Sequence, residues 1–370
     1  MKRRVDYIFN RIIPTMKKSS KEKRCNDTKM FKFKLIASFL VPIMFILFLG
    51  IVSILKASDV IESKYEKAAE DTLNMASECM KFGFNSVEAT AKLYADDSLI
   101  QRYSISQDDK IKAFVYADSL GNILCSKKAV DEFIKNIYLV NKNVHSISTG
   151  VGIDSAFYHS FKKTNLGQIL DSGKTENIWD GEDEFLDKQL ETRTDDYAMR
   201  LIRNVSNFDA FLIFDVKADV VKNILSAMKF DKSSFLGLVT PDGKEIIDYS
   251  LMLEKPSIDM EAVKSEKIFV NQAFYKDIMD GEEVSGSKYI DYKGASYFFL
   301  YSKVNDTGAT LCALIPKSTI TDQADGIKNV IILIVILACI IAILLTAMLV
   351  SGIDKIIKNI ISGKLPQTEI

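Results

Sequence analysis

The distribution of charge along the chain is uneven, and two stretches carry none at all. Leu35–Leu55 (LIASFLVPIMFILFLGIVSIL) and Val330–Val350 (VIILIVILACIIAILLTAMLV) each run 21 residues without a charge. At about 1.5 Å per residue each reaches ~31 Å, the depth of a bilayer's hydrocarbon core. Core helices of soluble proteins rarely stay uncharged beyond about 10–14 residues, so both stretches are predicted to span a membrane. Pro42 is compatible with a membrane helix. Behind the first span a helical period continues through residue 104, with Ile61, Tyr65, Ala69, Leu73, Ala76, Met80, Phe84, Val87, Ala91 and Tyr94 on one stripe. A helix over 56–104 would extend about 73 Å and is read as a stalk. A second helix is predicted from Asp108 to about Phe133.

Past residue 134 the period shortens to that of strands. Ile137–Val140 and His145–Thr149 flank a turn at Asn141-Lys142-Asn143. Residues 150–190 read as irregular and rich in Gly, Asp and Glu. Strands follow at Tyr197–Val205 and Ala210–Val216, then a helix at Ala218–Met228. The plan then repeats, with strands at Phe235–Thr240 and Lys244–Tyr249 around Pro241-Asp242-Gly243 and a helix near Ile268–Met279. Three more strands are predicted at Lys288–Tyr292, Ser296–Val304 and Ala309–Ile315. Residues 198–218 (AMRLIRNVSNFDAFLIFDVKA) and 298–319 (FFLYSKVNDTGATLCALIPKST) share strand, four-residue turn, strand and a lysine-led helix. This internal duplication predicts two α+β modules in tandem, each an antiparallel sheet with helices.

Charge then orients the chain. Residues 1–34 hold 12 Lys/Arg against 3 Asp/Glu, and the tail after Val350 carries Lys355, Lys358 and Lys364 against Asp354 and Glu369. The stretch 56–328 holds 33 basic and 44 acidic residues. The positive-inside rule predicts both termini in the cytoplasm and the large segment outside, in the cell membrane. A basic N-terminus that topology explains leaves no need for a nucleic-acid partner. The first apolar run is too long for a cleaved signal peptide and reads as a signal anchor. Cys79, Cys125 and Cys312 are exported but odd in number, so no disulfide framework is expected.

The first span and stalk (KLIASFLVPIMFILFLGIVSILKAS, YEKAAEDTLNMASECMKFGFNSVEATA), together with GLVTPDGKEI and ALIPKSTI, resemble the input half of bacterial methyl-accepting chemotaxis receptors with a double-Cache sensor domain. The resemblance covers most of residues 30–360. It implies a long stalk helix and two tandem PAS-like (Cache) modules between two transmembrane helices. The division it implies is a cytoplasmic segment 1–34, a first span 35–55, stalk and second helix 56–133, and a ligand-binding distal module 134–228. A proximal module 229–327, a second span 328–352 and a HAMP-like linker 353–370 complete it. It further implies a homodimer, a small extracellular ligand, and membrane lipid around the spans. A coupling protein and kinase would enter only through a signalling domain supplied elsewhere. SGIDKIIKNIISGKL begins the linker's first helix, with Ile353, Ile356, Ile357, Ile360 and Ile361 on one face; Gly363 and Pro366 are expected to break it, which reads as truncation within the linker. The same ectodomain serves histidine kinases and diguanylate cyclases, and a non-signalling surface protein is the contrasting role.

Residues suited to catalysis are sparse. Two histidines, His145 and His159, offer little for a metal site or a catalytic triad, and no enzyme activity or cofactor is expected. Gly281–Lys288 (GEEVSGSK) imitates a phosphate loop but has Ser where Lys is needed. Asp180–Glu184 (DGEDE) is acidic but lacks the spacing of a calcium loop. Candidate ligand contacts therefore come from the expected fold, in which residues 150–190 cover one sheet face. Trp179, the only tryptophan, is either an aromatic wall for a ligand or a packing anchor. Asp187 is a further candidate on the cover. By strand alternation Tyr197, Met199, Leu201 and Arg203 share one face and Arg200 takes the other. Arg203 would bind a carboxylate or form an ion pair. Asp215 matches an aspartate that holds the ligand's ammonium group in the amino-acid-binding branch of the family, or else caps the helix at Ala218. That branch's Arg-x-Trp-Tyr stretch has no counterpart here.

Overall fold

The computed structural model describes residues 2–173, 175–205, 208–231, 233–248 and 267–361. The chain divides into two compact units, one of residues 1–64 with 321–370 and one of residues 65–320.

Among the described residues two helices are long and apolar enough to cross a membrane, and their apolar stretches lie in the first unit. They belong to α1 (Lys2–Ala95) and α9 (Lys317–Ile361). Gly50 is buried, and a Cβ there would lie 2.7 Å from Val335 Cγ2. A small residue lets two apolar helices approach closely. Gly363 and Pro366, the expected breakers of the linker helix, lie outside the described residues.

The second unit is built on two sheets of identical order. Strands β1 (Ile134–Asn141), β2 (Ile147–Ser148), β3 (Asn177–Asp180), β4 (Tyr197–Asn204) and β5 (Ala210–Lys217) form an antiparallel sheet in the order β2-β1-β5-β4-β3. Strands β6 (Phe235–Val239), β7 (Glu245–Ile247), β8 (Ser285–Tyr292), β9 (Ala295–Val304) and β10 (Ala309–Pro316) repeat it as β7-β6-β10-β9-β8. The duplication read from residues 198–218 and 298–319 is therefore a duplication of sheet topology. Ser285–Lys288, the end of the phosphate-loop look-alike, is strand rather than loop.

Both sheets lay one face on α1. Ala69, Leu73, Ala76, Met80, Phe84, Val87, Ala91 and Tyr94 of the predicted stripe are buried, in one core with Leu201, Leu212 and Phe214 of the first sheet and Leu300, Leu311 and Ala313 of the second. The helix stops at Ala95 rather than at 104. Asp97 accepts the Leu99 N–H at 2.6 Å and caps a new helix, α2 (Ser98–Ser104). Asp109 caps α3 (Lys110–Val130) in the same way.

The cover of the first sheet differs most from expectation. Residues 150–190 are not irregular: they hold α4 (Phe157–Phe161), α5 (Asn165–Asp171), β3 and α6 (Glu184–Gln189). Phe157, Phe161, Leu170 and Leu186 pack down onto Tyr138, Ile202, Phe211 and Ile213 as a second core. The second sheet's cover includes α8 (Ala273–Met279), shorter than the predicted 268–279. A helix α7 (Ala218–Ala227) links the two sheets in sequence.

Candidate ligand site

A row of polar side chains crosses the covered face of the first sheet. Asn136 on β1 is in register with Asp215 on β5, Asp215 with Arg200 on β4, and Arg200 with Asp180 on β3. Arg200 and Asp215 are completely buried. The Arg200 guanidinium donates from Nε to Asp215 Oδ1 at 2.8 Å and from Nη1 to Asp187 Oδ1 at 2.6 Å, and from Nη2 to Thr192 Oγ1. Tyr138 donates its hydroxyl to Asp215 Oδ2 at 3.0 Å, and Tyr197 donates to Asp187 Oδ1 at 2.9 Å. Burial and the neighbouring Asp215 carboxylate push the Tyr138 phenol well above its ordinary range. The carboxylates around Arg200 outweigh its desolvation and hold it firmly charged. One end of the row is met by Lys128, whose Nζ donates to Asn136 Oδ1 at 2.8 Å. At the other end Asp180 Oδ2 is buried with no hydrogen-bond partner among the described residues. Its carboxyl is pushed up to about 7, first by burial and then by Asp242 and Asp183.

The five candidates from sequence part into two groups. Asp187, Tyr197 and Asp215 come together around Arg200. Trp179 and Arg203 lie on the opposite face, toward α1. The Trp179 ring packs against α1, its centroid 5.4 Å from that of Phe84. Arg203 pairs with Glu176 at 2.7 Å and donates to Asn177, which donates in turn to Glu88 of α1. Asp215 does not cap α7, whose N-cap is Lys217 with no side-chain hydrogen bond.

Simple alternation misplaced Tyr197 because β4 carries a bulge. Between Tyr197 and Arg200 three steps on β4 face two on β5, from Lys217 to Asp215. The extra residue turns Tyr197 onto the face of Arg200, where the guanidinium carbon sits 3.8 Å from the ring centroid. Arg200, Tyr138, Thr192 and Asp180 were missed as site residues. Arg200, Tyr138 and Asp180 meet through cross-strand pairing, which the pattern of a single chain does not display, and Thr192 joins them from the segment between α6 and β4.

The second sheet is an internal control. The corresponding row there is Phe235, Leu314, Phe299 and Lys288, each in register with the next. The same topology thus tolerates apolar side chains at the three positions that match Asn136, Asp215 and Arg200. Buried ion pairs are commonly no more stabilising than well-packed apolar side chains, so the charged row in the first module is not explained by folding.

No family model matches this chain, and no curated protein matches it. Solved structures do. The ligand-binding domain of Mlp24 with asparagine is 15% identical, covering 72% of this chain and 99% of its own, at TM-score 0.44. The sensory domain of the Campylobacter jejuni chemoreceptor Tlp3 with isoleucine bound is 13% identical over 71% of this chain and 97% of its own, at TM-score 0.48. The extracellular domain of rpHK1S-Z16, a histidine kinase by assignment, is 7% identical over 70% and 97%, at TM-score 0.49.

Proposed function

We propose that this chain is the input module of a transmembrane chemoreceptor, with residues 65–320 outside the cell and a small polar solute bound at the Arg200 row. The observation that carries this reading is the contrast between the two sheets: a buried charged row in one, Phe-Leu-Phe at the same positions in the other. Buried ionisable groups gathered under a cover, where apolar side chains would pack as well, are the mark of a recognition site on which this reading rests. Asp215 is already held by Arg200 and Tyr138, so it is not a vacant seat for a ligand ammonium. A ligand must exchange with Asp187 or Thr192 on the cover, and the cover's movement is the signal. Strand β10 ends at Pro316 and α9 begins at Lys317 with no intervening loop, so sheet movement reaches the helix of the second span. Shifts of an ångström or two are sufficient for such switches.

The only tryptophan, Trp179, makes intrinsic fluorescence a reporter on the first module alone. Thermal unfolding of the chain in nanodiscs, followed at Trp179, should be screened against organic acids, amino acids, amines and purines. A true ligand at about 100 times its Kd contributes about 2.7 kcal/mol, or roughly 5–10 °C in midpoint for a domain of this size. That shift should vanish in Asp187→Ala. A blank screen, or a shift that survives this substitution, would sink the assignment of the site.

The same reading includes a homodimer joined along α1. Opposite its buried stripe, Ala68, Thr72, Met75, Cys79, Phe82, Ser86, Ala89 and Leu93 recur at steps of four and three with no charge among them. Met75, Phe82 and Leu93 are 74%, 77% and 67% exposed. Such a heptad seam places each residue beside its own copy in a parallel pair. Mild oxidation should therefore yield a disulfide-linked dimer that Cys79→Ala abolishes and Cys125→Ala leaves intact. A dimer band in Cys79→Ala, or none in the parent, speaks against the seam.

A further inference from the structure

Both ends of the cover segment that carries Asp187 and Thr192 are held by one hairpin of the second module. This hairpin joins β6 to β7 through Pro241-Asp242-Gly243, where Gly243 takes a φ of +86°. At the near end, the Gly181 N–H donates to Asp242 Oδ1 at 2.7 Å, and Lys244 Nζ donates to the Gly181 carbonyl at 3.0 Å. A Cβ on Gly181 would lie 2.2 Å from Thr240 Oγ1, so the approach requires glycine. At the far end, Lys244 Nζ donates to the Tyr197 carbonyl at 2.8 Å and sits 3.9 Å from the centroid of the Tyr197 ring. Tyr197 thus has a cation from the second module and the Arg200 guanidinium against its ring, while its hydroxyl holds Asp187.

We propose that Lys244, although carried by the second module, is a positioning residue of the first module's site, and that through it the second module reads whether the Arg200 row is closed. The proposal rests on the function assigned above. Lys244 clamps residues 181 and 197; the chain between them forms α6 and presents Asp187 and Thr192 to Arg200. Freeing Asp187 from Arg200 lets Tyr197 and the segment relax, and their backbone carbonyls are the groups that Lys244 grips. The hairpin's first strand, β6, pairs with β10, which leads directly into α9. The charged groups acting on Lys244 include Glu182, Asp187, Arg200, Asp242 and Asp180. All but Asp242 belong to the first module, so its field changes with the state of that site.

Amide hydrogen exchange on the full chain in nanodiscs tests this, because local opening of the hairpin is read directly. Asp187→Asn weakens the closed row from the first module's side without adding any ligand. It should raise exchange of amides in 236–247 at least threefold. The rise should disappear when Lys244→Met is the background and persist with Lys244→Arg, which keeps a cation and N–H donors. A rise of the same size with and without Lys244, or no rise at all, overturns the proposal. Should Lys244→Met fail to fold by Trp179 emission, Lys244→Gln keeps a donor and drops the cation, and must at least halve the transmitted rise. Because no ligand enters the measurement, a blank ligand screen with intact transmission removes the assigned function alone, and a ligand found with no transmission removes this proposal alone.

Discussion

Arg200→Met should lower the unfolding midpoint of the first module by about 10 °C, more than any single change among its carboxylate partners. The substitution leaves Asp215, fully buried, and Asp187, 13% exposed, without their shared cation. Removing one member of a buried charged set costs about 3–5 kcal/mol, because a charge is left uncompensated. At roughly 2–4 °C per kcal/mol for a domain of 150–250 residues, a shift of about 6–20 °C follows. Asp215→Asn is milder, since Arg200 keeps Asp187 and the amide oxygen remains an acceptor. The triple variant Arg200→Met, Asp187→Leu, Asp215→Leu should recover most of the loss. Apolar replacement of a whole buried set is often neutral or stabilising, and the second sheet already carries such a row. Trp179 fluorescence during heating reads all three. A single Arg200→Met within about 3 °C of the parent, or a triple variant no better than the single, contradicts the charge argument.

Stability of the first module should fall as pH rises from about 4 to 7, and Asp180→Asn should flatten that slope. The Asp180 carboxyl is raised to about 7 in the fold, against an ordinary value of 3.8, chiefly by burial. Between those values the folded state binds more protons than the unfolded one, so raising pH favours unfolding; above 7 the effect is complete. From pH 5 to 7 the loss amounts to about 2–3 kcal/mol, at ~1.4 kcal/mol per pH unit. Lys244 acts at the other side of neutrality. Burial lowers its ammonium to about 8 from 10.5, so between 8 and 10.5 the unfolded state binds more protons and stability rises with pH. These two groups therefore place a minimum of stability between pH 7 and 8, where both are charged and desolvated. Denaturant titrations at pH 5, 6, 7.5 and 9 on the parent, Asp180→Asn and Lys244→Met separate the two limbs. A parent and an Asp180→Asn variant with the same slope below pH 7 would show that Asp180 titrates normally.

The parts of the fold that a linear pattern encodes were legible from it. The stripe from Ala69 to Tyr94 is a period of the helix itself, and every one of those residues is buried in the structure. Strands β4, β5, β9 and β10 lie close to their predicted bounds, because long alternating or apolar runs between turns specify strands without outside help. The cover was not legible as helix. Its pieces, FYHSF, NLGQILD and EFLDKQ, span five to seven residues, too few for a helical period to declare itself. Their caps were the available signal: Thr164 accepts the Gly167 N–H, and Asp183 accepts the Leu186 N–H.

The candidate site divides along the same line. Its place on the expected cover marked Asp187, its strand beside that cover marked Tyr197, and the family resemblance marked Asp215. Which cation they surround was decided by the bulge in β4, a one-residue offset against β5 that reverses the facing of Tyr197 while Trp179 and Arg203 stay turned to α1. Local sequence does not contain that offset, because a bulge belongs to a pair of strands rather than to either one. The two long apolar helices, the buried stripe of α1 and the duplication were determined by the chain on its own, through hydrophobic periods that act over neighbouring residues. The buried row, the Tyr197–Lys244 joint and the contrast between the two sheets exist only once strands distant in sequence are brought into register, and that pairing is tertiary.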